Sequence, residues 1–120
     1  MKKWSLIITI VRKSWGDKVL EASMKAGAEG GTILMGRGTG VHEQQKLLGI
    51  PIEPEKEIVL SVVYPDKSEA ILQEIVQACE LEKPGTGIAF VVPVEKMVRI
   101  LHLPGKSGGG RVNETELSGF

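Results

Sequence analysis

The sequence predicts an α+β fold: two helices against one face of a four-stranded antiparallel sheet, in the order βαββαβ, with a long loop between the second and third strands. Three observations predict it. Runs dense in β-branched residues recur at 4–11, 57–64 and 88–92. Two stretches, one from Ser14 and one after Asp66, repeat apolar residues at helical spacing. Between the second and third strands lies a stretch, residues 36–54, that opens with Gly36, Gly38 and Gly40 and ends at Pro54. At about 18 residues it far exceeds the usual four to six of a connection in a compact domain, and loops of that length tend to carry function.

Taken in order, residues 4–11 place Trp4, Leu6, Ile8 and Ile10 on one face of a strand and Ser5, Ile7, Thr9 and Val11 on the other. One face is wholly apolar and the other half-polar, as for a sheet with one buried and one partly covered face. Residues 14–26 read as a helix, with Trp15, Val19, Ala22 and Ala26 at steps of four, three and four, and Gly27 suits the position after the C-cap. Residues 32–35 form a short second strand leading into the glycines. After the loop, residues 57–64 form the third strand, which Pro65 stops. Asp66 and Glu69 have capping-box spacing, and Ile71, Leu72, Ile75, Val76 and Cys79 form the apolar stripe of a second helix. A glycine-containing turn at 83–87 leads into a strand at 88–92, which Pro93 interrupts and residues 97–101 continue. The tail, 104–120, is glycine-rich and then polar. This order is the split βαβ, or ferredoxin-like, pattern. The sheet face away from the helices also carries apolar residues, which a symmetric oligomer would cover.

Composition narrows the function. A chain of 120 residues is one domain, and 42% hydrophobic residues allow one modest core. Fifteen basic residues balance fifteen acidic ones, so no net field draws nucleic acid or an anionic membrane. The single cysteine, Cys79, excludes an internal disulfide or a paired-cysteine metal site and suits a reducing cytosol. Residues 1–13 imitate a signal peptide, but the apolar run is short and lacks a small-residue cleavage site. No window reaches the roughly 18 apolar residues of a membrane span. The expectation is a cytoplasmic protein with no direct membrane insertion.

The βαββαβ order, the loop over about 37–55, the turn sequence from Lys83 to Phe90 and the strand end from Val98 to His102 together resemble the PII signalling proteins, trimeric nitrogen and carbon regulators of bacteria, archaea and plastids. The resemblance covers residues 1–103. The three segments correspond to that family's T-loop, B-loop and C-loop. It implies a homotrimer binding an adenine nucleotide (ATP, ADP or AMP), with or without magnesium, in the cleft between adjacent subunits. On that reading Thr32, Gly36, Arg37, Gly38 and Val63 border the base and ribose. Gly85, Thr86 and Gly87 cradle phosphate on backbone amides, with Lys83 and Arg99 adding positive charge. This chain departs from the family in two places: Ile88 stands where typical members carry a lysine, and Leu101 where they carry an arginine. Lys83 and His102 are the nearby replacements. The T-loop has neither tyrosine nor serine, and its threonine, Thr39, lies at the base, so the family's uridylylation and phosphorylation have no acceptor.

The loop itself ends in an apolar segment. Leu47, Leu48 and Ile50, with His42, are the candidate partner-binding residues, because an exposed apolar patch calls for a docking surface. The resemblance implies a membrane transporter or metabolic enzyme as that partner. Other motifs carry less. Gly36, Gly38 and Gly40 lack the dinucleotide-fingerprint spacing, and Gly105 to Ser107 lacks the phosphate loop's first glycine, since Ile100 occupies that place. His42 and Glu43 are too few for a metal site; Cys79, Trp4 and Trp15 read as packing residues. The function expected is non-catalytic regulation. The alternatives are a trimeric metal- or small-ligand-binding module of the cation-tolerance type, which lacks so long a loop, and a small enzyme on the same fold, for which no nucleophile–base pair is evident.

Overall fold

The computed structural model describes residues 4–40 and 45–98. Within them the elements are β1 (Trp4–Arg12), α1 (Gly16–Lys25), β2 (Thr32–Arg37), β3 (Gln45–Leu47), β4 (Ile50–Ile52), β5 (Glu55–Val63), α2 (Pro65–Cys79) and β6 (Gly87–Val94). Four strands form an antiparallel sheet in the order β2-β5-β1-β6. β5 lies between β1 and β2, and β1 between β5 and β6, so each helix joins two parallel strands with a third inserted between them. The predicted α+β architecture is therefore present, and β3 and β4 add a small hairpin inside the long loop.

The core lies between the sheet and both helices. Ile7 and Val11 of β1 and Val59 and Val63 of β5 meet Val19 and Ala22 of α1 and Ile71, Ile75 and Cys79 of α2. Burying aliphatic side chains of this kind is worth about 1.5–3 kcal/mol each against leaving them exposed. The helices cover the half-polar face of β1: Ser5, Ile7, Thr9 and Val11 are buried, while Trp4, Leu6, Ile8 and Ile10 face the open side and are only half-buried. Counting apolar residues on β1 alone points to the opposite face. The handedness of the βαβ crossovers, not the polarity of one strand, decides which side the helices occupy. Thr9 Oγ1 is buried here with no hydrogen-bond partner among the described residues.

Several expected boundaries move. α1 starts at Gly16 rather than Ser14, whose φ of 82° places it in the preceding turn. Gly27, with φ of 121°, follows the C-cap Ala26 as expected. The Asp66–Glu69 capping box does not form. α2 begins two residues earlier, with Pro65 in its first turn and Tyr64 as N-cap, and no side chain caps it. The fixed φ of proline suits the first helical position, which leaves Asp66 in the first turn, where its charge opposes the helix dipole favourably. Pro93 does not interrupt β6; it pairs with Ser5 on an edge strand, where a missing N–H is tolerated. Met97 and Val98 are not strand, and the rest of the expected 97–101 continuation lies outside the described residues.

The long loop is narrower than expected because β2 runs on to Arg37 and β5 begins at Glu55. Its neck is closed by Gly38 N–H donating to Pro54 O at 3.1 Å. Further out, β3 and β4 pair Gln45 with Ile52 and Leu47 with Ile50 around Leu48 and Gly49. Both turn residues have positive φ, 54° and 82°, the type I′ pattern that matches the twist of a two-residue hairpin. No helix among the described residues is long and apolar enough to cross a membrane.

Candidate functional site

The open side of the sheet carries aliphatic side chains in rows, because residues in register on antiparallel neighbours share a face. One row runs Leu34, Ile58, Ile10, Ile88 across all four strands. The next runs Gly36, Lys56, Arg12. At this end of the sheet the chain leaves β2 through the loop neck and enters β6 from the turn at 80–87. A groove of about 470 Å³ opens between them, floored by Ile10, Ile58 and Ile88 and walled by residues 36–40, Lys56, Gly85 and Gly87. That volume lies within the range of small-ligand sites.

Among the described residues, Arg37 and Lys56 are the cations that line the groove. Lys56 is 8% exposed, so most of its stem is covered. Gly36 keeps the floor open, since a side chain there would press on Ile58 Cδ1. Gly87 is obligatory for a different reason: its φ is 150°, and a Cβ would run into the backbone oxygen of Ile10 on β1. Only a residue without a side chain lets β6 enter the sheet so close to β1.

The 80–87 turn is held by its own polar groups. Glu80 ends α2 in the left-handed conformation, with φ of 53°. Thr86 Oγ1 lies 2.8 Å from Glu80 O and 2.9 Å from Lys83 O, and its hydroxyl donates into that pair of carbonyls. Lys83 Nζ pairs with Glu80 Oε1 at 3.0 Å, and this hydrogen bond, helped by the lysine charge, holds the Glu80 carboxyl below its ordinary range. At the start of β5 Lys13 pairs with Glu55 at 2.9 Å, a hydrogen bond that raises the lysine and lowers the carboxyl.

Of the residues expected to hold a ligand, the groove brings together Gly36, Arg37, Gly38, Gly85 and Gly87. It does not include Thr32, which opens β2 opposite Leu60, or Val63, which is 3% exposed in the core. Lys83 and Thr86 brace the turn instead of lining the groove. Arg99, Leu101, His102 and His42 lie outside the described residues, as does the tail. Of the expected partner-binding residues, Leu48 and Ile50 are exposed at the hairpin, 93% and 66% respectively; Leu47 is placed by its backbone in β3.

Reading the sequence alone misses Ile10, Lys56 and Ile58 as groove residues. A signal for Lys56 exists: it is the one charged residue in the alternating set Lys56, Ile58, Leu60, Val62, and so marks the end of an apolar stripe. Among the described residues no group of three or more His, Cys, Asp or Glu side chains could hold a metal ion. The arrangement can bind an anion with an apolar body against the base of a loop; among the described residues no nucleophile and base are brought together in the groove.

The family model described as nitrogen regulatory protein P-II matches residues 4–102. Among solved structures, the crystal structure of Arabidopsis thaliana PII bound to citrate is similar, with 27% sequence identity and a TM-score of 0.60. That match covers 77% of this chain and 78% of the Arabidopsis chain. No curated protein matches the chain.

Proposed function

Because the chain belongs to the nitrogen regulatory protein P-II family, we propose that it is a non-catalytic regulator that binds a small effector, an adenine nucleotide, in the groove beside Arg37 and Lys56. One observation carries this reading: the groove wall is the neck of the long loop itself, residues 36–40. An occupant therefore touches the loop, and a ligand with unequal affinity for two loop states shifts their populations. The exposed Leu48 and Ile50 at the hairpin are the docking residues for a target, a transporter or metabolic enzyme. The apolar open face, from Leu34 to Phe90 and Val92, fits burial in a homotrimer, and the cytoplasm is the compartment.

Calorimetric titration of the intact protein with ATP, ADP and AMP, with and without magnesium, tests the effector. Citrate, the ligand named for the Arabidopsis relative, is the comparison polyanion. One nucleotide per subunit, weakened in Arg37→Ala, is the expected result. No heat with any nucleotide overturns the effector reading, and heat with citrate alone moves it to a polycarboxylate. Sedimentation at several concentrations tests the trimer.

A further inference from the structure

We propose that the loop neck is linked mechanically to the first turn of α1, so that opening the neck loosens that turn, with Glu55 and Glu57 as the link and Trp15 as its readout. The link is a property of how one strand end is gripped, and it holds whatever occupies the groove. Glu55 and Glu57 are two apart on β5, so both project from the face that carries Val59 and Val63, the one the helices cover. Between them they hold both ends of the turn that joins β1 to α1. Glu55 takes the leading end: its carbonyl accepts from Lys13 N–H at 3.3 Å, and its carboxylate pairs with Lys13 Nζ. Glu57 takes the trailing end by accepting from Gly16 N–H. Between the two ends, Ser14 has a φ of 82°, a left-handed conformation that serine rarely adopts unless its surroundings impose it. Trp15 closes the turn by donating its N–H to Arg12 O at 3.1 Å. Its ring centroid lies 4.6 Å from the Arg12 guanidinium and 4.5 Å from the Lys18 ammonium.

Pro54, whose carbonyl receives the Gly38 N–H that closes the neck, is the residue directly before Glu55. A neck that opens displaces Pro54 and carries Glu55 with it. Glu57 lies two residues deeper in the sheet, in register with Met35 on one side and Val11 on the other, and stays. The turn is then held at one end alone and Ser14 is free to relax. The first turn of α1 has no reserve of its own, because the N-cap Trp15 makes no side-chain bond to it. The exposed face of α1 thus becomes a second surface that responds to whatever grips or releases the loop. By linkage, a partner on α1 acts back on the neck with the same coupling.

The test is amide hydrogen exchange of the intact protein, with Ile75 in the core as the reference for global opening. Gly38→Pro removes the donor at the neck. Relative to Ile75, it should speed exchange at Trp15 and Gly16 by at least about tenfold, the size of one hydrogen bond. In a Trp4→Phe background, which leaves Trp15 as the sole tryptophan, the emission should shift in the same variant. Leu48→Ala, at the hairpin tip beyond the neck, should change neither; an equal effect from it overturns the neck as the origin. Glu55→Ala, with the neck bond intact, should speed the same amides. Combined with Gly38→Pro it should fall short of the product of the separate effects, because both changes break one link. Unchanged rates at Trp15 and Gly16 in Gly38→Pro overturn the proposal. So do rates that follow Ile75 in every variant, which is global loosening, and separate effects that simply multiply.

Discussion

The backbone N–H of Gly16 donates to Glu57 Oε1 at 2.6 Å, so the first turn of α1 is capped by a carboxylate from β5 rather than by a residue of its own chain segment. Trp15, the N-cap position, offers no side-chain bond. The contact joins residues 41 apart in sequence and sets a negative charge at the positive end of the helix. It also explains the glycine: a Cβ at position 16 would collide with the same Glu57 oxygen and crowd Ile33.

Glu57→Ala should lower stability by about 1–2 kcal/mol, as for loss of an N-cap, and Glu57→Gln by less because its amide oxygen still accepts. Gly16→Ala should destabilise in the wild-type background despite alanine's better helix propensity. In the Glu57→Ala background the clash with the carboxylate is gone and only the crowding by Ile33 and the Cβ of residue 57 remains, so the same change should cost distinctly less. Urea denaturation of the four proteins measures the coupling; additive effects would refute it.

Thr9→Val should stabilise the protein by about 1 kcal/mol. The hydroxyl is buried without a partner among the described residues, and valine keeps the shape while removing that desolvation penalty. The thermal midpoint reads it, and a fall on substitution would show that the hydroxyl is in fact satisfied.

Gly87→Ala should cost roughly 2–3 kcal/mol or prevent folding, since backbone strain combines with a clash against Ile10 O. Loss of ligand binding in that variant would therefore say nothing about the groove. Arg37→Ala, at an exposed position, is the cleaner probe. Equal stability of Gly87→Ala and wild type in urea would overturn the placement of β6.

Stability should fall in acid through Glu55 and Glu80. Hydrogen bonds from Lys13 and Lys83 lower their folded values below the ordinary 4.5, so the native state binds fewer protons than the unfolded chain. Their contribution is complete above the unfolded value and disappears as pH falls through the lowered folded value. Lys13 has the opposite sign: its raised value gives a contribution present below 10.5 and lost as pH rises beyond it. Both pairs are exposed, so the effect is small. Denaturation midpoints between pH 5 and 3 should flatten in a Glu55→Gln, Glu80→Gln double variant.

Cys79 should react with a thiol reagent only on unfolding, because it is fully buried and burial raises its pKa. Labelling at wild-type rates in native buffer and in urea would contradict this.

Much of the scaffold was legible because each element announces itself over many residues. The stripe from Ile71 to Cys79 needs a helix, and the alternation from Trp4 to Val11 needs a strand. The turn and neck glycines were legible too, since Gly36, Gly38, Gly85 and Gly87 stand out from their surroundings. What stayed hidden depends on pairing. Ile10, Ile58 and Ile88 become one floor only through the register of three strands. Glu57 becomes a helix cap only when β5 lies beside α1. The hairpin at 45–52 was hidden for a local reason: its turn is Leu48-Gly49, and leucine is not a residue that announces a positive φ. Lys83 and Thr86 were read as cations and donors for phosphate because sequence shows their chemistry but not their partners.

Four consecutive residues leading into β5 each serve a different neighbour. Pro54 O holds the loop neck, Glu55 meets Lys13, Lys56 lines the groove and Glu57 caps α1. Strand geometry makes these assignments parity-dependent, so a slip of one residue sends every side chain to the wrong face. Relatives of this protein can therefore gain or lose residues freely near Leu48 and Gly49, whereas a single deletion within 54–57 would exchange the roles of Lys56 and Glu57. Length variation across descendants of this sequence should stop abruptly at Pro54.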